Sequence, residues 1–240
     1  MMHRLFSFAT ALLVAVGVEA QETNFCGATK YDSVHANEVV AYTQLGDNTI
    51  TGFYYGATGL YTHHFNRHWA LEGGANLQFK KQLYGLSARG IFHFSWTRHS
   101  DFFVSGKLMY NRYHAYDASE CVANVSVNWQ TSYFDMTLGE SLIHFNSLGS
   151  GYTEPLTLAF GIGANIRRRD NSWNLGLFFR NYDDFYYENW NINWGIRFYS
   201  PLPHTRLKLF GEINVRPAGS MSQLATKYET HIKLGIKHVW

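Results

Sequence analysis

The chain is poor in charge: Asp, Glu, Lys and Arg together make up 16% of its 240 residues, against about a quarter in an ordinary soluble domain. With 46% apolar and 17% aromatic residues, intrinsic disorder is excluded, since it needs few aromatics and a high net charge. Proline is scarce, at four residues, and the 21 glycines follow no three-residue period, which removes collagen-like and low-complexity classes. No self-similarity at a period of about 20 to 50 residues marks a solenoid. Cysteine is limited to Cys26 and Cys121. Neither has the spacing of a metal site, so no metal and no cofactor is expected, and a pairing between cysteines so far apart depends on geometry. The net charge is only +2, with basic residues scattered along the chain, so there is no nucleic-acid-binding stripe and nucleic acid is not an expected partner.

A long apolar run is also missing, except at the start. His3 and Arg4 form a short positive region, Leu5 to Val18 an apolar stretch, and Val18-Glu19-Ala20 a small-residue cleavage site, the layout of a cleaved export signal. Residues 1–20 are therefore expected to be a signal peptide, with 21–35 an N-terminal periplasmic or plug segment and 36–240 the folded domain. Beyond Gln21 no run approaches the roughly 20 apolar residues that a membrane helix needs.

What the sequence has instead is alternation with a period of two, the pattern of strands with one apolar face. Trp69, Leu71, Gly73, Ala75, Leu77 and Phe79 oppose Glu72, Gly74, Asn76, Gln78 and Lys80. Tyr84 to Trp96, Phe102 to Tyr110, Cys121 to Trp129, Leu156 to Ile166 and Trp190 to Phe198 repeat the split. With weaker segments near 37–45, 51–65, 132–145, 172–182, 204–216 and 228–240, about twelve strands are predicted, with ten or fourteen as alternatives. An even count puts both termini at one end.

Alternation alone also fits a soluble sandwich. Three features favour an all-β, closed antiparallel transmembrane barrel. Short turns at 66–68, 97–101, 130–132, 168–171 and 200–203 contrast with longer connections such as 146–154 and 217–227, as expected of periplasmic turns and extracellular loops. Trp69, Trp96, Trp129, Trp173 and Trp240 fall at strand ends on the short-turn side, where indoles form an aromatic girdle. Finally, Tyr228, Thr230, Ile232, Leu234, Ile236, His238 and Trp240 share one face of a strand that ends the chain. That strand resembles the C-terminal targeting strand of Gram-negative outer-membrane β-barrels, although His238 stands where an apolar or aromatic residue is usual. The resemblance implies an outer-membrane location, contact with outer-membrane lipid, and assembly by the barrel-insertion machinery through the C-terminal strand; a monomer is expected.

In this register the lumen is polar. Arg89, Lys107, Arg167, Arg180, Arg197, Lys208, Lys233 and Lys237 are the main candidate lumen-lining basic residues, joined by Lys80, Arg206 and Arg216; Glu72, Asp135 and Glu212 are candidate lumen-lining acids, with Glu120 and Glu229. Eleven bases against five acids predict a net positive interior that favours small anions. Size and basicity look like small twelve-stranded porins for acidic sugars, by architecture only. The expected function is thus a passive diffusion channel with mild preference for small anionic solutes. A plugged structural or assembly barrel is the first alternative.

The second alternative is a lipid hydrolase. His144-Phe145-Asn146-Ser147 is faintly similar to the His-x-Ser-Asn stretch of lipid A deacylase barrels, with Asn and Ser reversed, giving His144, Ser147 and Glu154 as the alternative catalytic set. His93 and Ser95, two residues apart, form another imidazole–hydroxyl pair on one strand face. His63, His64 and His68 do not share a face well enough for a metal. Glu140 would face lipid on a strand carrying Phe134, Met136, Leu138 and Leu142, so a bulge at Gly139-Glu140 is predicted to turn it inward. The run Tyr182-Asp183-Asp184-Phe185-Tyr186-Tyr187-Glu188 is expected at the outer rim, as part of an extracellular girdle or a ligand gate.

Overall fold

Val, Ile, Phe, Tyr and Trp crowd the alternating segments, and such side chains pack well on a pleated surface; in lipid their backbone groups have no partner except a neighbouring strand, which forces the sheet to close. The computed structural model describes residues 37–49, 52–79, 83–96, 100–131, 133–167, 173–187, 192–202, 205–216 and 229–239. The signal peptide, the 21–35 segment, Cys26, Lys80 and Trp240 lie outside the described residues. Among the described residues fourteen strands occur in chain order: β1 (Glu38–Asn48), β2 (Gly52–His64), β3 (Trp69–Gln78), β4 (Leu83–Trp96), β5 (Ser100–Tyr113), β6 (Ala118–Thr131), β7 (Phe134–Ser147), β8 (Ser150–Arg167), β9 (Asn174–Arg180), β10 (Tyr182–Asp183), β11 (Tyr186–Tyr187), β12 (Asn193–Pro201), β13 (Leu207–Arg216) and β14 (Glu229–Val239). Twelve of them close into an antiparallel transmembrane barrel, β1 pairing with both β2 and β14, while β10 and β11 form a separate two-stranded hairpin. Glu38 and Val239 mark one end, called the base below; the opposite end is the top.

The wall is inside-out relative to a soluble protein. Leu86 and Leu108 are 62% and 64% exposed, and Leu45, Phe53, Leu77, Leu138, Ile162, Leu177, Ile196 and Leu234 also face outward. The interior instead buries Gln44, Asn76, Asn111, Asn124, Asn128, Asn193, Asn214 and Arg216. At the base, Trp69 packs on Phe92 and Trp129 on Phe134, with the Trp129 indole N–H donating to Ser100 Oγ at 2.8 Å. Trp173 is half-buried just before β9. The side chain of Trp96 lies outside the described residues.

Two expectations are corrected. The connection at 146–154 is no loop: β7 runs to Ser147 and β8 starts at Ser150, joined by Leu148 and Gly149 with φ of 51° and 79°. Positive φ at both central residues is the type I′ geometry that matches strand twist. Glu140 does not turn inward. β7 pairs with β6 without interruption, Glu140 facing Val125, and its side chain is exposed on the outer wall, while Ile143 is buried. The irregularity lies between β7 and β8, where Ser141 pairs with Thr157 but Ile143 with Glu154, so the extra residue belongs to β8. A bulge on the partner strand relieves that ladder while leaving Glu140 in the apolar band.

Candidate functional site

β9 has seven residues, fewer than the roughly 9 to 11 that a tilted spanning strand needs. It therefore leaves the wall early. The chain turns inward at Asn181, crosses the lumen as β10–β11, and rejoins the wall at β12. Asn181 makes the exit: its N–H donates to the Phe160 carbonyl at 3.1 Å, its side-chain carbonyl accepts from Phe160 N–H at 2.8 Å, and its amide donates to the Leu158 carbonyl at 2.5 Å. These bonds satisfy the β8 backbone at Phe160 and Leu158, just past the point where β9 ends.

The hairpin reaches several distant strands. Tyr182 donates to Thr137 Oγ1 on β7 at 2.8 Å and packs against Met109, Val122, Ile143 and Ala159. Phe185 is 6% exposed, and its ring lies so close to β4 that a Cβ on Gly85 would stand 2.8 Å from it, so the wall there is glycine. Asn111 of β5 donates to the Phe185 carbonyl at 2.8 Å. Between these residues sit two carboxylates. Asp183 pairs with Lys233 of β14, with Arg180 at 3.3 Å and with His231 at 3.5 Å. Asp184 accepts from the Tyr42 hydroxyl at 2.6 Å and lies 3.5 Å from Lys233, while the Lys107 ammonium donates to its carbonyl. Burial alone would raise the Asp183 carboxyl, but the Lys233 ammonium and Arg180 guanidinium outweigh it and hold the group well below the ordinary range. Asp184 is lowered too, burial again opposing and Lys233 supplying the main attraction.

Below the hairpin, a cavity of about 150 Å³ extends toward Glu38, His93, Gln130 and Lys237 at the base. Six of its lining residues are basic (Arg89, Lys107, Arg180, Arg197, Lys233, Lys237) and six acidic (Glu38, Glu72, Asp135, Asp183, Asp184, Glu212). The strongly basic lumen counted from the sequence is thus balanced here, because Glu38 faces inward and the hairpin brings two more carboxylates. Most of these charges are paired: Lys237 with Glu38 at 2.5 Å, Arg180 with Glu212 at 2.5 Å, and Arg197 with Asp135. Glu72 and Arg89 are cross-strand partners, the Arg89 guanidinium lying 5.5 Å from the Phe103 ring centre. Lys208 is half-buried beside Tyr199, and Arg206 is exposed in the turn before β13. Arg216 and Glu229 pair at the top, where Glu120 accepts from Asn111 and Tyr113, both at 3.1 Å. The side chain of Arg167 lies outside the described residues.

The rim expectation for 182–188 is corrected: Asp183 and Phe185 are buried across the lumen, and Glu188 is not described. Tyr42, Glu38 and both hairpin aspartates were missed as lumen groups. The available signal was the shortness of the segment between Trp173 and Tyr182.

The alternative catalytic set does not assemble. His144 is exposed on the outer wall, bonding Thr153 at 2.8 Å, whereas Glu154 pairs with the inward Ile143, and Ser147 lies three residues on in the opposite phase of the strand. Cys121, the cross-strand partner of His144, is exposed as a free thiol. His93 turns to Asp101 at 2.9 Å, and a bulge at Phe94 breaks its register with Ser95. Asp183, Glu212 and His231 are near enough to share a metal ion, but Lys233 and Arg180 already hold those carboxylates.

No family model matches the chain, and no curated protein matches it. Among solved structures it is similar to the KdgM porin in complex with disordered oligogalacturonate, with TM-score 0.53, 9% identity, and coverage of 84% of this chain and 98% of that one. It is also similar to the NanC porin, with TM-score 0.51, 8% identity and coverage of 82% and 98%. The fold is thus that of porin-type outer-membrane β-barrels.

Proposed function

We propose that the chain is a monomeric outer-membrane channel for passive diffusion of small solutes, whose passage is set by the inward hairpin. It reaches the membrane with its signal peptide removed, assembled through its C-terminal strand. The observation that carries this reading is the hairpin itself, six residues (182–187) diverted from the wall and anchored on β1, β5, β7 and β14. A barrel built only to anchor or brace has no need to divert a spanning strand, whereas a channel needs a constriction.

A mild preference for anions is part of the proposal. The guanidinium and ammonium groups around the cavity favour carboxylated solutes, and the similar KdgM porin holds oligogalacturonate, an acidic sugar chain. Balance by six acidic side chains keeps the preference mild.

The test is the reversal potential of the refolded protein in a planar bilayer under a potassium chloride gradient. A small potential of anion-selective sign is expected. Strong cation selectivity would overturn the selectivity, and no current in either the intact chain or a chain with its hairpin shortened would overturn the channel itself in favour of a structural barrel.

A further inference from the structure

The donors of the lumen stand on the closed wall, and its central anions stand on a hairpin outside it. Lys107, Lys233 and Tyr42 stand on strands hydrogen-bonded on both sides, and Arg180 ends β9, whereas Asp183 and Asp184 ride on a two-stranded hairpin outside the closed sheet. Donors from three wall strands converge on this one pair of neighbouring carboxylates, and Lys107 from a fourth donates to the Asp184 main-chain carbonyl. Such an arrangement is what a carboxylate-binding site looks like when filled. If the two aspartates withdrew, the cavity lining would keep six basic residues against four acidic ones, the excess being where the aspartates now sit. The cavity also borders both residues, and the Asp184 side chain is already 37% exposed.

Resting on the channel reading above, we propose that Asp183 and Asp184 are an internal ligand: they occupy a binding site for carboxylated solutes formed by Lys107, Arg180, Lys233 and Tyr42, and a solute of that class opens the lumen by displacing them. The exchange makes no covalent change. One set of charge-assisted hydrogen bonds replaces another, so its free-energy cost is far below that of leaving buried cations unpaired. A neutral amide of the same size can accept hydrogen bonds from these donors but brings no negative charge to balance them, and it leaves the hairpin seated. The site therefore couples opening to the class of solute admitted.

The experiment compares succinate with succinamide, its uncharged counterpart of similar size, in planar-bilayer recordings of the full refolded chain. Succinate is expected to raise the open fraction and succinamide to leave it unchanged. Asp184→Asn, which keeps the buried Asp183 pairs, and the double variant with Asp183→Asn are expected to raise the open fraction without any solute, the double variant about tenfold or more, as loss of charged hydrogen bonds implies. In the double variant succinate should no longer open the lumen, and should instead reduce the current by occupying the vacated site. Heat-modifiable migration identifies folded barrels for both variants. Equal responses to succinate and succinamide in a chain that conducts would overturn the internal-ligand proposal and leave the channel standing; no current from any chain would overturn both.

Discussion

The top and base halves of the same lumen are built differently. At the top, Tyr54, Asn111, Glu120, Asn193 and Asn214 are each 0% exposed, and two apolar clusters, Met109/Val122/Ile143/Ala159 and Leu83/Tyr113/Ala118, line the wall. At the base, charged side chains surround a cavity of about 150 Å³. The wall strands other than β9 continue through both halves, so the wall alone does not make the difference. The hairpin does, by filling one half and roofing the other. Diameter at twelve strands lies between filled and open barrels, and in that range inserted chain decides whether a lumen is open.

The largest way to break the contrast is Lys233→Met. It strips Asp183 and Glu212 of an ammonium they both face, and removing one member of a buried ion network costs about 3–5 kcal/mol. The hairpin should become accessible to proteolysis in intact barrels and the open fraction should rise strongly. Phe185→Ala comes next: the ring is buried against the wall, and such truncations cost about 3 kcal/mol, so flickering openings are expected more often than in the intact chain.

Acid sharpens the comparison. Asp183 and Asp184, facing Lys233, Arg180, Lys107, His231 and Tyr42, have lowered carboxyl groups. A depressed group stabilises above its free value and loses that contribution as pH falls through its bound value. The open fraction should therefore stay low through the free Asp range, near pH 4, and rise only in stronger acid; conductance recorded against pH would show it, and a rise between pH 5 and 6 would count against these pairs as the latch. A smaller effect is expected on the outer wall. Glu140→Leu should stabilise the barrel by about 1–2 kcal/mol, since a carboxylate in the apolar band is costly, with the lumen unchanged; refolding in lipid vesicles measures it. Arg112→Ala, breaking an exposed pair with Asp117 at the top, should change stability by less than about 0.5 kcal/mol.

The wall was legible because lipid imposes a strict period of two. Leu71, Leu86, Leu108, Val125 and Ile196 face outward as the alternation predicts. The interior was less legible, since lumenal positions accept Gly, Asn, Tyr or Glu with little pattern, and β1 hid Glu38 and Tyr42 in such a mixture. The hairpin followed no period at all. Tyr182 to Tyr187 has the composition of a rim, and only the early end of β9 and the three bonds of Asn181 send it inward. Counting charge by alternation therefore gave a basic lumen, and two aspartates from outside the alternation corrected it. Glu140 failed for another reason: the bulge that repairs the ladder sits on β8, where the sequence of β7 carries no trace of it.

The most direct test of the account replaces residues 182–187 with a short Gly-Ser linker and records single-channel conductance beside the intact chain. The account predicts a folded, heat-modifiable barrel with a steady, large conductance that the intact chain lacks. The same conductance in both proteins would contradict it, because the closure would then belong to the wall.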